Sequence, residues 1–353
     1  MIRVCYPFVG DSVGGSHKSA LALIQNLDWE FVEPLILVHR EGPLCELLEK
    51  YQLSYSVLPL SGMAGDVASL ARISEAGLRA LPTIRTFIRE HGVDLVHSND
   101  LRCNLTWSLP SRIWAKHIWH QRTLLSRSPL WKAIGMLTNH VICISHSVRS
   151  TYRATAPVSI VINPFHDARL DRPTARAALA KELGISNSRA IVGYVGRLAS
   201  QKGFEDFCRL AFMLPEVTMV AAGDGPLSAL LPNAVRNLGF RDPIEPVLAA
   251  LDVLVAPSRQ EGYGRVLAEA MLAGTPIVAT DIPAHREVSA GNAVLVPAGD
   301  QQKMADAVIQ LLNEEDFRRS LAKSASISAS ARFGISDHVE SIQSIYRTIL
   351  SQA

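Results

Sequence analysis

Apolar and polar positions along this chain repeat on two scales. Short, mostly apolar runs rich in β-branched residues recur between longer stretches with helical spacing. In the first half, residues 2–9, 33–38, 54–58, 94–97, 116–120 and 140–144 have the strand pattern, and 16–27, 71–90 and 130–137 the helical one. A second series follows, with strands expected at 190–196, 217–223, 253–257, 276–280 and 293–297. Helices are expected there at 204–214, 226–235, 266–272 and 303–312. Strands apolar along nearly their whole length are buried on both faces, which is the signature of a parallel sheet covered by helices. The pattern pauses at 163–173, where Pro164 and Pro173 stand among polar residues, and a domain linker is expected there. The tail at 336–350 carries Val339, Ile342, Ile345, Tyr346 and Ile349 on one helical stripe.

The expected organisation is therefore α/β, with two Rossmann-like domains whose parallel sheets face a central cleft. The domains are expected at 1–165 and 166–335, with a last helix at 336–353 crossing back to the first. A length of 353 residues fits two domains of ordinary size. Ligands of open α/β sheets bind beyond the C-terminal ends of the strands, so chemistry is sought in the loops that follow them.

Candidate chemistry concentrates in the second half. The segment EGYGRVLAE at 261–269 sets Glu261 and Glu269 eight positions apart, with Gly262 and Gly264 before an apolar helix-opening run. Eight helical positions rotate a side chain by about 800°, roughly 80° off its starting direction. With Glu261 in the loop and Glu269 in the helix, both carboxylates converge on one ligand. The glycines let helix N-terminal amides approach an anion. Carboxylates that seek hydroxyls, flanking amides that seek phosphate, make a binding plan for a nucleotide sugar. Upstream, GRLASQKG at 196–203 follows a strand and places Arg197 and Lys202 at its C-terminal end. Two cations there suit a diphosphate, Arg as a planar fork and Lys as a point charge.

Near the N-terminus, GDSVGGSHKS at 10–19 lacks the Gly-Lys-Ser order of a Walker A loop, because Ser16 and His17 intervene before Lys18. The Gly14–Gly15 turn then fits either an anion or acceptor sugar, or a turn that only starts a helix. His97 and His120 end expected strands. No His, Cys and Asp grouping has metal-ligand spacing, and no Gly-x-Ser-x-Gly elbow occurs. No obligatory metal is expected.

A net charge of +2 is too small to suggest nucleic acid. The five cysteines include no Cys-x-x-Cys pair and fit reduced thiols of a cytoplasmic protein. The start of the chain runs straight into a strand pattern rather than a signal peptide. No apolar run approaches the ~20 residues that span a bilayer, so membrane contact would be peripheral. One segment, 101–160, holds eight basic residues, four of the five tryptophans and no acidic residue. That composition suits an anionic membrane surface on the inner face. The competing reading makes the tryptophans core and the cations a solvated face.

Taken in order, these segments resemble the retaining glycosyltransferases of the GT-B fold, in particular glycosyltransferase family 4 (glycosyl transferases group 1). The resemblance covers nearly the whole chain and is strongest from 192 to 296. It is carried by the Glu261–Glu269 pair, by 196–203, by AGDGP at 222–226, by Gly239–Phe240 and by DVLVAPS at 252–258. It implies a metal-independent transferase with no cofactor, taking a UDP- or GDP-sugar donor and a glycan or lipid-linked acceptor in polysaccharide, lipopolysaccharide or glycolipid synthesis. A soluble enzyme making a small glycoside, an epimerase, or a binding subunit are the alternatives. The resemblance further implies that Glu269 binds the ribose and Glu261 the donor sugar. Backbone amides of Arg265, Val266 and Leu267 would cap the diphosphate, with Gly264 opening their helix. Arg197 and Lys202 would clamp it. Gly196, Gly223 and Phe240 would complete the nucleotide site, with Gly14 and Gly15 as the N-terminal glycine loop and His120 beside the transferred sugar. The chain departs from the family at Asn163–Pro164, where Asn-Gly is usual, and at His120–Gln121, where His-Asp is usual.

Overall fold

The computed structural model describes residues 1–60, 70–153, 155–166 and 170–351. The chain divides into two compact units, one of Met1–Pro164 with Ile335–Ala353 and one of Phe165–Gly334. Residues 167–169 of the expected linker lie outside the described residues.

The first unit is built on a seven-stranded sheet of β1 (Ile2–Phe8), β2 (Val32–Val38), β3 (Tyr55–Val57), β4 (Leu95–Ser98), β5 (Lys116–Gln121), β6 (His140–Cys143) and β7 (Val158–Ile160). Its order is β3-β2-β1-β4-β5-β6-β7, and every pairing is parallel. Alternation along β1 explains why both faces are covered. Val4, Tyr6 and Phe8 face one core with Val339, Ile342, Tyr346 and Ile349 of the helix Ile335–Ser351. Cys5 and Val9 face the other with Ile84, Phe87 and Trp107. The C-terminal stripe thus packs on the first sheet, each buried large side chain contributing about 1.5–3 kcal/mol.

The second unit holds six parallel strands, β8 (Ile191–Val195), β9 (Thr218–Ala222), β10 (Val235–Gly239), β11 (Val253–Ala256), β12 (Ile277–Thr280) and β13 (Val294–Val296). Their order is β10-β9-β8-β11-β12-β13. Strand order reverses direction between β1 and β4 in one sheet and between β8 and β11 in the other. Ligand crevices of open α/β sheets open at such points.

One sequence expectation is corrected, and the two readings of the basic segment divide its tryptophans between them. The helix expected at 226–235 is a single 3-10 turn, Ser228–Leu230, followed by the edge strand β10. The spacing of Leu227, Leu230, Leu231 and Ala234 imitates a helical face, but pairing with β9 prevails. In the basic segment, Trp107 and Trp119 are fully buried, and Trp114 and Trp131 half-buried. Two of its four tryptophans are therefore core residues and not membrane anchors. Trp107 sits in the helix Leu101–Trp114, which the sequence pattern missed and which Asp100 caps by accepting from the Cys103 N–H at 2.8 Å. Among the described residues no helix is long and apolar enough to cross a membrane.

Candidate active site

In the second unit, the loops after β8 and β11 meet at the point where strand order reverses. Lys202 lies on the 3-10 turn Ser200–Lys202 after β8. Its Nζ is 2.6 Å from both carboxylate oxygens of Glu261, in the loop after β11. Ser258 Oγ donates to Glu261 Oε1 at 2.8 Å. The Glu261 side chain is 9% exposed, so its charge is compensated inside a nearly closed environment. A carboxylate offers about four acceptor positions. Lys202 and Ser258 occupy three of them and leave one.

Arg197 stands on the same loop as Lys202 but is exposed, and its guanidinium has no partner among the described residues. The strand ends behind it are tightly fitted. Gly223, at the end of β9, has φ +143°, and a Cβ there would stand 1.9 Å from the Gly196 carbonyl oxygen. Phe240, just past β10, is 74% exposed.

The helix Arg265–Leu272 follows the loop of Glu261. Its N-cap, Gly264, has φ +92° and supplies no side-chain cap. A Cβ on Gly264 would stand 3.2 Å from the His285 ring. The Leu267 N–H already donates to the Gly264 carbonyl at 3.0 Å, which limits the amides the sequence suggested for a diphosphate. Glu269, one turn on, accepts from Arg265 at 3.0 Å, and the Arg265 guanidinium lies 4.7 Å from the centre of the Phe165 ring. His285 is fully buried, with Nδ1 2.8 Å from the Thr280 carbonyl and Nε2 without a partner among the described residues. Burial pushes its pKa down. Nothing in the sequence pattern singled out His285, whose approach to Gly264 spans 21 positions and is made only by folding, and Ser258 entered only as the last residue of the segment 252–258.

In the first unit, Gly14 caps the helix Gly15–Gln25 in an extended conformation, and its N–H donates to His17 Nδ1 at 3.0 Å. Asp11, in the same loop, accepts a two-pronged bond from Arg102 at 2.6 and 2.7 Å. The Arg102 guanidinium holds its carboxyl below the usual range. His120, at the end of β5, is 1% exposed. Its Nδ1 is 3.1 Å from His97 Nε2 and 3.2 Å from Arg122, and its Nε2 is buried without a partner among the described residues. Arg122 also donates to Asn99 and Asn163. Asn163 therefore anchors a cation where the family usually has its Asn-Gly pair. Gln121 turns onto the Thr123 carbonyl and is 1% exposed. No group of His, Cys, Asp and Glu among the described residues could hold a metal ion.

The family described as glycosyl transferases group 1 matches residues 189–314, the part that carries the loops after β8 and β11. A 2-deoxystreptamine N-acetyl-D-glucosaminyltransferase from Streptomyces fradiae is 26% identical across 99% of this chain and 94% of its own length. An alpha-D-kanosaminyltransferase from Streptomyces kanamyceticus is 32% identical over 52% of each chain. Among solved structures, Anabaena HepE in complex with UDP and glucose superposes with a TM-score of 0.83 at 21% identity, covering 98% of this chain and 100% of that one. The chain thus has the fold of the GT-B glycosyltransferases and resembles glycosyltransferase family 4, with the family match lying in residues 189–314.

Proposed function

We propose that this protein transfers a sugar from a nucleoside diphosphate sugar to an acceptor hydroxyl, with retention at the anomeric carbon and without a metal. The observation that carries the reading is the Lys202–Glu261–Ser258 cluster beside the uncapped helix N-terminus at Gly264. The one acceptor position left on Glu261 suits a donor-sugar hydroxyl. Glu269, a turn further on, suits the ribose, and exposed Phe240 suits the base. Negative charge grows on the leaving diphosphate as the glycosidic bond breaks. Arg197 and Lys202 are positioned for that charge, with the Arg265 and Val266 end of the helix. A preorganised donor of this kind typically lowers a barrier by about 3–4 kcal/mol. Retention follows if the acceptor attacks on the face the diphosphate leaves, with the leaving phosphate taking the acceptor proton. His120 is proposed to contact the transferred sugar, and Gly14–Gly15 to border the acceptor.

The acceptor is a glycan or lipid-linked sugar on this reading, with residues 101–160 near an anionic membrane. A small soluble acceptor is the second reading, favoured by the burial of Trp107 and Trp119 and by the name of the S. fradiae relative. The test is turnover with UDP- and GDP-sugars in the presence of EDTA, with the anomeric configuration of the product read by NMR. Inversion, or an absolute need for divalent metal, defeats the mechanism. Vesicle flotation separates the two acceptor classes.

A further inference from the structure

Four buried side chains in the first unit form one continuous line of hydrogen bonds. Tyr6 Oη is 2.7 Å from Tyr346 Oη, Tyr346 Oη is 2.6 Å from His97 Nδ1, and His97 Nε2 is 3.1 Å from His120 Nδ1. Tyr6, His97 and His120 lie on the adjacent strands β1, β4 and β5, and Tyr346 on the C-terminal helix. All four are at most 1% exposed.

The direction of this line is settled at one end. An arginine only donates hydrogen bonds. Arg122 contacts His120 Nδ1, so that nitrogen is an acceptor and the ring proton sits on Nε2. His97 then donates from Nε2 and accepts at Nδ1 from the Tyr346 hydroxyl, which in turn accepts from Tyr6. Every donor points toward His120, and bonds aligned in this way polarise one another. The line ends at His120 Nε2–H, buried and without a partner among the described residues. An unmade bond at a buried N–H is costly, which favours a ligand that supplies an acceptor.

We infer that Tyr346 and His97 are positioning residues that hold His120 as a neutral Nε2–H donor to a lone-pair oxygen of the bound sugar, which excludes His120 as the base that deprotonates the acceptor. The inference rests on the glycosyl-transfer reading for its ligand, though not for the proton arrangement. The groups facing His120 agree with a neutral ring. They are the Arg122 cation, His97, and His338, whose ring stacks 6.2 Å away and whose Nδ1 is bonded to the Ile162 carbonyl. Burial, reinforced by Arg122 and the neighbouring histidines, holds the His120 pKa well below its ordinary value.

The experiment is nitrogen NMR of the full chain labelled at histidine, assigned with His120→Gln and His97→Gln. The expected spectrum shows His120 protonated at Nε2 and bare at Nδ1, unchanged from pH 8 to pH 6. A proton on His120 Nδ1, or a charged ring in that range, overturns the inference. Tyr346→Phe keeps the ring and removes only the hydroxyl. It is expected to redistribute the His97 tautomer and to lower kcat about fivefold with KM for the nucleotide sugar unchanged. An unaltered His97 spectrum in Tyr346→Phe also overturns it. Failure of the transfer reading would appear separately, as absent turnover with the wild-type tautomers in place.

Discussion

Lys202 Nζ holds both carboxylate oxygens of Glu261 at 2.6 Å, across 59 positions of sequence. The two residues therefore form one ion pair, in which Glu261 keeps one acceptor position and Lys202 its third N–H. Lys202→Ala strands a carboxylate that is 9% exposed, with Ser258 as its remaining side-chain partner among the described residues. Its expected cost is about 2 kcal/mol, because the lysine itself is partly solvated. Lys202→Ala/Glu261→Gln should recover most of that stability in thermal melts but none of the turnover. Additive losses in the double variant would show that the pair is not coupled.

Gly264 is held at φ +92°, with the His285 ring 3.2 Å from where a Cβ would stand. Gly264→Ala should lose about 1–3 kcal/mol of stability from backbone strain. It should also weaken nucleotide-sugar binding, since the proposed diphosphate site lies at the helix end that this backbone opens. Calorimetric titration with UDP, beside a melting curve, reads both effects.

Asp252 lies within the family-like segment 252–258, yet its bonds are internal. It accepts from the Ile191 N–H at 2.8 Å and from Arg176 at 2.7 Å, fastening β11 to β8 and to the helix Arg172–Leu183. Asp252→Ala is expected to destabilise by about 3 kcal/mol, because Arg176 and Arg172, the latter 3.4 Å from Asp252, lose their carboxylate partner. The folded fraction should retain its kcat/KM, which active-site titration of purified protein would measure.

Several buried histidines make stability depend on pH. Burial lowers the pKa of His97 and His120 well below 6.5, that of His338 to about 4 and that of His117 to about 3. The unfolded chain binds their protons first, so the folded state is fully favoured above pH 6.5 and loses stability as pH falls from 6.5 toward 4. The lowered carboxyl of Asp11 adds its loss only below its ordinary value of 3.8. Urea melts should give a plateau above pH 7 and a steady decline below 6.5. His338→Gln should flatten part of that slope.

Much of the fold was legible because β8 and β11 are apolar throughout and β1 is so after Arg3, as strands buried on both faces must be. The C-terminal helix was legible from its stripe, of which Val339, Ile342, Tyr346 and Ile349 are buried. The helix Leu101–Trp114 was hidden because its buried face includes Asn104, Ser108, Ser111 and Pro110, which carry no apolar period. The edge strand β10 was hidden because only Val235 and Leu238 of its five residues are buried. At the site, strand-end loops drew attention to Arg197, Lys202, Glu261 and His120. Which of them pair did not appear in any local pattern, since Lys202 finds Glu261, and His97 finds Tyr346, only through folding.

The central claim is that the loops after β8 and β11 bind and activate a nucleotide sugar. The most direct measurement is release of nucleoside diphosphate from a panel of UDP- and GDP-sugars by wild type and by Arg197→Ala. The account predicts that at least one donor is consumed by wild type, with kcat/KM falling about 100-fold in Arg197→Ala. No consumption of any donor by wild type, or an Arg197→Ala variant within about twofold of it, would contradict the account.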